Sequence, residues 1–319
     1  MGINMERSIN IDVYGLSEIS SLLIAENILS IIKTFTHLDL RRLNNVVVTD
    51  EFNKLHIKKS NEFKDFSNAL SYAKVVIVPK DDDYEFIIAL RLDFGMYLIE
   101  ENVDSMNHSK YLNAVHVLHH ELCHVHDYNQ CIDIFKNDFF GLNKTGKEMI
   151  LYPLSQICWS EYIANYLSSS SVKKCDMLRS TIDSFMVQVV ESQNKIHKHI
   201  DNFKVDKDIK SLLIHVKLNI ENLVKSASYV LGYLHGLNKD LKKFCPELDK
   251  LISQSYFYYT WQYLDDVLKN MNGTYPHKWE DEKIFENLMY GFDKLYTRLG
   301  IRLSENKSSE LFFEVLKRG

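Results

Sequence analysis

His120, Glu121 and His124 form an H-E-x-x-H arrangement inside an apolar, helix-like segment, Leu112 to Tyr128. On a helix, residues i and i+4 lie one turn apart on one face, so two imidazoles at this spacing can reach a single metal ion. A glutamate between them can serve as general base toward a water that the ion activates. At about 100° per residue, Val115, Leu118, Leu122 and Val125 make a core stripe roughly 80° wide. The motif histidines lie roughly opposite that stripe, with Asp127 beside them. His116, His119 and His126 enrich the same helix further. The plainer account is a solvated polar face that happens to be histidine-rich. The i, i+4 pair with its internal glutamate favours metal ligation instead.

A catalytic zinc site takes three protein ligands and leaves one position open. Gln130 stands where a third histidine would complete one large class of such sites. Asp127 is on the correct face, but an unbroken helix carries it roughly 10 Å along the axis from His120, too far to share the ion. It can still support a ligand from outside. Glu161, in the helical segment Trp159 to Asn165, is the better third ligand, one element downstream of the motif. Cys123 reads as a small hydrophobe rather than a nucleophile. His235, Tyr229 and Tyr233 could steady an oxyanion, although packed core positions account for them more simply.

The elements that would position these residues divide unevenly along the chain. Ser17 to Thr36 has helical spacing, and Asn45 to Thr49 is a β-branched strand. Phe63 to Ala73 reads as a helix. Val75 to Val78, Tyr84 to Leu92 and Met96 to Ile99 read as strands separated by turns near Asp81 and Gly95. Beyond that the patterns are helical: Tyr111 to Gln130, Met149 to Ser168, Ser180 to His199, Lys207 to Leu237, Ser253 to Met271 and Lys283 to Leu299. The expectation is an α+β first half, residues 1–170, followed by an all-helical extension, residues 171–319.

Composition narrows the functional classes. The chain of 319 residues is 45% apolar and 25% charged, ordinary proportions for a soluble globular protein. Lys plus Arg is 38 against 43 for Asp plus Glu, a net charge of -5, which argues against a dedicated nucleic-acid binder. No basic segment followed by an apolar stretch marks the start for secretion, and Glu6 stands where a myristoylation signal wants Ser or Thr. No apolar run is long enough for a spanning helix, so no membrane partner is expected. Five cysteines without a C-x-x-C pair are simplest as free thiols in a reducing compartment, which makes the cytoplasm the expected location.

H-E-x-x-H followed one helix later by E-x-x-A-N, here Glu161 to Asn165, resembles the gluzincin group of zinc metallopeptidases. The chain is most similar to the compact ImmA/IrrE-type peptidases over roughly residues 45–170, and the order of elements agrees. The resemblance implies a zincin-like N-terminal half with a small mixed sheet. It implies Zn2+ held by His120, His124 and Glu161, with Glu121 as base. It also implies that the strand before the motif helix, Tyr84 to Leu92 or Met96 to Ile99, is an edge that pairs with an extended substrate. Two features depart from the pattern. The stretch between His124 and Glu161 is long, with Phe139, Phe140 and Gly141 in an inserted loop. Cys123 stands as the usual small residue before the second histidine, which is similar to another H-E-L-C-H group that works on DNA-bound proteins, but that group needs a third histidine soon after and His126 is too close. The expected activity is hydrolysis of peptide bonds in a protein or peptide substrate. The alternative is a catalytically weak binding or regulatory protein on the same scaffold, whose helical half recruits a partner.

Overall fold

Residues 9–52, 72–81, 83–99, 105–136, 139, 141, 143–172 and 177–316 are described in a computed structural model of the chain. The first strand, β1 (Asn10–Val13), leads to helix α1 (Glu18–Thr34) and strand β2 (Leu43–Thr49). Ser17 caps α1, its hydroxyl accepting from the Ser20 amide at 3.3 Å, which satisfies one of the helix's unpaired first-turn donors. Ile24, Ile28, Ile31 and Ile32 bury one stripe of that helix. Strands β3 (Ala73–Lys80) and β4 (Asp83–Arg91) follow as a hairpin, with Asp81 at φ 50° in its turn.

The sheet order is β1-β2-β4-β3. Strand β2 is parallel to both neighbours, and β3 runs antiparallel to β4. Val46, Val47 and Val48 of β2 are all buried although they point alternately to opposite faces, so both faces of this strand are covered, which explains the unbroken valine run. Two strand expectations are corrected here. The strand at Tyr84 to Leu92 exists as β4, but it lies inside the sheet; among the described residues the edges are β1 and β3. Met96 to Ile99 is not a strand. It forms a 3-10 turn directly after a short helix, α2 (Leu92–Gly95). A Cβ at Gly95 would stand 2.5 Å from a methyl carbon of Val48, so only glycine lets this turn lie on β2. Within this turn Leu98 is buried and Met96 exposed, and the turn packs on α1. The helix expected from Phe63 to Ala73 lies outside the described residues apart from its end, where Ala73 opens β3.

Long helices follow: α3 (Ser105–Phe135), α4 (Glu148–Val172), α5 (Met177–Asp206) and α6 (Ile209–Gly236). Four shorter ones complete the set, α7 (Leu241–Phe244), α8 (Pro246–Ser253), α9 (Tyr258–Asn272) and α10 (Glu286–Arg298). The chain ends in an antiparallel hairpin of β5 (Ile301–Glu305) and β6 (Leu311–Val315), so the second half is helical but not all-helical as expected. Buried Ile301 and Leu303 alternate with exposed Arg302, the two-residue period of a half-buried strand.

The chain divides into two compact units, residues 1–129 with 170–177, and residues 130–169 with 178–319. In the first, α1 lies against β1 and the 3-10 turn. The second has an aromatic core in which Trp159 lies 4.6 Å from Trp279 and Tyr152 meets Phe285 edge-on at 5.5 Å, ring centre to ring centre. No helix among the described residues is long and apolar enough to cross a membrane.

Candidate metal centre

Helix α3 runs unbroken through the motif to Phe135, so the i, i+4 spacing of His120 and His124 is realised. It is not a solvated face. His116 and Asp127 are each 1% exposed and His124 only 7%. That removes the plainer account of its histidines. A network holds the helix to the segment that enters β2. The Asp39 amide donates to His126 Nδ1 at 2.8 Å, and Asn129 Nδ2 donates to the Asp39 carbonyl at 2.8 Å. Arg42 donates through Nη1 to Asn129 Oδ1 at 3.1 Å and through Nε to Asp83 Oδ1 at 2.8 Å.

Ser171 Oγ stands 2.8 Å from His116 Nδ1 and 2.9 Å from His119 Nδ1. One hydroxyl can donate to only one of them. His119 Nε2 is buried without a partner, and an orphaned N–H is rarer than an orphaned lone pair, which assigns the His119 proton to Nδ1. Ser171 then accepts from His119. Burial, reinforced by neighbouring imidazoles, pushes both histidines down to about 3, so both stay neutral.

His120 and His124 present their Nε2 atoms to each other at 3.0 Å, with the rings 88° apart. Two nitrogens tetrahedrally bound to one zinc would be about 3.3 Å apart, so the pair already converges closely enough to share an ion. The His124 ring stacks on Tyr128, with centroids 5.8 Å apart, and Tyr128 meets Phe86 of β4. The sheet thereby sets the orientation of His124.

Glu161 sits on α4 between Ser160 and Tyr162, and its side chain is 10% exposed. Asn165 Nδ2 donates to its carbonyl at 2.6 Å. Lys225 of α6 brings its Nζ to 2.7 Å from Glu161 Oε1. Burial pulls the Lys225 pKa down, but Glu161 and the Tyr229 hydroxyl more than reverse this and leave the ammonium well above its ordinary value. Neighbouring Tyr162 is fixed by a relay. Its hydroxyl lies 2.9 Å from His235 Nδ1, and His235 Nε2 donates to Asp265 Oδ1 at 2.6 Å.

His120, His124 and Glu161 each offer one ligand atom, and the three atoms lie within 4.8 Å of one another. It is the one such group of three or more His, Cys, Asp or Glu residues found among the described residues. Two imidazoles and a carboxylate form a donor set suited to a divalent transition-metal ion. The group can therefore hold a metal ion. Asp127 is buried on α3 but does not belong to the group.

The other residues singled out from sequence fall elsewhere. His235 has both ring nitrogens engaged, and Tyr233 is buried in the core. Burial pushes the Cys123 thiol well above its usual range, so it stays protonated and acts as a small hydrophobe. Gly141 lies in the connection between α3 and α4, at φ 61°, where a Cβ would strike the Tyr152 ring. Lys225 was not among the sequence candidates. Comparison with known proteins finds no family description, no curated protein and no solved structure that matches the chain.

Proposed function

We propose that the chain is a zinc-dependent endopeptidase of the gluzincin kind. The observation that carries this reading is the convergence of His120, His124 and Glu161 around a motif that also supplies Glu121. Bound there, zinc would supply Lewis-acid polarisation of the scissile carbonyl and a water of lowered pKa. The two histidines and Glu161 would hold the ion. Glu121, the residue after His120 and itself 7% exposed, takes the proton from the attacking water and passes it to the leaving amine. An extended substrate would align along β3, the antiparallel edge at which the described sheet ends, through main-chain hydrogen bonds. The substrate is a protein or peptide, and the acidic balance of the chain speaks against nucleic acid.

One observation favours a second reading, a scaffold that binds a partner and cleaves little. Lys225 pairs with Glu161 at 2.7 Å, so the carboxylate has a counter-charge within the protein itself. Glu121→Gln separates the two. It should keep zinc binding near wild type while lowering peptide hydrolysis by about a hundredfold or more. Unchanged hydrolysis in the variant, or no cleavage by zinc-loaded wild type across a proteome-derived peptide library, would reject the peptidase reading.

A further inference from the structure

We infer that Lys225 is a stand-in cation that competes with the metal ion for Glu161 and so sets how readily the site is occupied. This rests on the metal-centre reading above and goes beyond it, because it gives Glu161 a counter-charge from the chain itself.

The physical problem is the carboxylate. A largely buried, ionised Glu161 must be matched by a positive group. The structure supplies one in the Lys225 ammonium at 2.7 Å. The two partners differ in freedom. The Glu161 side chain is 10% exposed, whereas that of Lys225 is 37% exposed. A lysine carries its charge on a flexible four-carbon stem and can move its head into water while the stem stays packed. The carboxylate is therefore the fixed member of the pair and the ammonium the displaceable one. Tyr229, one helical turn further along α6, brings its ring centre to 5.8 Å from the ammonium. A divalent ion reaching Glu161 brings two positive charges to the carboxylate whose Oε1 the ammonium already contacts at 2.7 Å. Repulsion between the cations then favours release of Lys225 to solvent. Occupancy thus becomes an exchange of one cation for another, and the resting protein avoids an unpaired buried carboxylate.

The test is zinc affinity, read with a chromophoric chelator on the full-length protein, with no activity assay involved. Lys225→Met removes the competitor and keeps the apolar stem. It should bind zinc about tenfold more tightly than wild type, which corresponds to about 1.4 kcal/mol. Lys225→Arg keeps the charge and should bind as wild type does. Thermal unfolding supplies the second measurement. Without metal, Lys225→Met should melt below wild type, and zinc should raise its melting temperature by more than it raises that of wild type. If Lys225→Met does not survive purification without metal, the same comparison is made with Lys225→Gln. Weaker or equal zinc binding in the Met and Gln variants would overturn the inference while leaving the metal centre intact. It would show that Lys225 orients Glu161 rather than competing for it. Absence of zinc uptake by wild type, with the same result in His120→Ala, would overturn the metal centre and this inference together.

Discussion

Gly232 and Tyr162 meet backbone to backbone: a Cβ built on Gly232 would lie 2.5 Å from the Tyr162 carbonyl oxygen. Gly236, one turn on, stands at the same hypothetical distance from the Tyr166 carbonyl oxygen. Small residues four apart let helices α6 and α4 approach closely, and the close pass falls beside Glu161. The glycine pair thus fixes where the Lys225-bearing helix crosses the Glu161-bearing one.

Gly232→Ala should therefore destabilise the protein. Alanine gains roughly 1 kcal/mol in helix propensity over glycine. Overpacking typically costs 1–3 kcal/mol, and here the obstacles are the Tyr162 carbonyl, Asn165 Cβ at 2.8 Å and the Tyr166 amide nitrogen at 3.1 Å, none of which is the end of a flexible side chain. A net loss of about 1–2 kcal/mol is expected in urea unfolding. A midpoint equal to or above wild type would show that the helices separate at little cost.

Glu161→Ala should weaken zinc binding much more than Asp127→Ala does. Asp127 sits outside the three-residue group, on the same unbroken helix as both histidines. A chelator titration of the two variants decides the matter. Greater loss on changing Asp127 would move the third ligand onto α3 and end the gluzincin assignment.

Acid should destabilise the metal-free protein well before its carboxylates titrate. His116 is held neutral in the fold, down to about 3, by burial. In the unfolded chain it protonates near 6.5. A depressed folded value means its contribution is fully present above about 6.5 and disappears as pH falls from there toward the folded value. The expected loss is about 1.4 kcal/mol per pH unit for this one group. Urea midpoints at pH 7.5 and 5.5, with chelator present, should drop less in His116→Gln than in wild type. The same drop in both would exclude His116 as its source.

The relay beside Glu161 is expected to be structural. Burial raises the Asp265 pKa, but His235 and Lys269 overcome it and hold the carboxyl below the usual range. That stabilisation is present above the ordinary carboxylate pKa and is lost as pH falls through the depressed folded value. At neutral pH Asp265→Asn should cost about 1–2 kcal/mol, the scale of a charge-assisted hydrogen bond. Zinc affinity should stay within a few fold of wild type. A large fall in affinity with unchanged stability would instead make the relay part of the metal centre.

Much of this arrangement can be read from residue order, and the parts that cannot have physical reasons. Helix α3 and the convergence of His120 with His124 follow from local periodicity, which is a property of neighbours in sequence. Strands β2, β3 and β4 announce themselves through runs of valine and isoleucine. Which strand forms the edge does not, because β3 folds back outside β4 and that pairing is non-local. Met96 to Ile99 is short and apolar, a pattern that a strand and a 3-10 turn share. The hairpin of β5 and β6 hides because Arg302, Glu305 and Glu314 dilute its alternation. Lys225 is the most instructive omission. Lys217, Glu221 and Lys225 recur every fourth residue and read as a solvated row of ion pairs on α6. Only the close helix crossing turns the last of them toward Glu161.

The 3.0 Å contact between His120 Nε2 and His124 Nε2 carries one more consequence. The spacing of four residues on one unbroken helix sets this separation, close to the roughly 3.3 Å that a tetrahedral ion needs. The helix thus works as a ruler that holds the bite of the two imidazoles independently of Glu161. One residue inserted between His120 and His124 would turn one ring about 100° away from the other and leave the bite open.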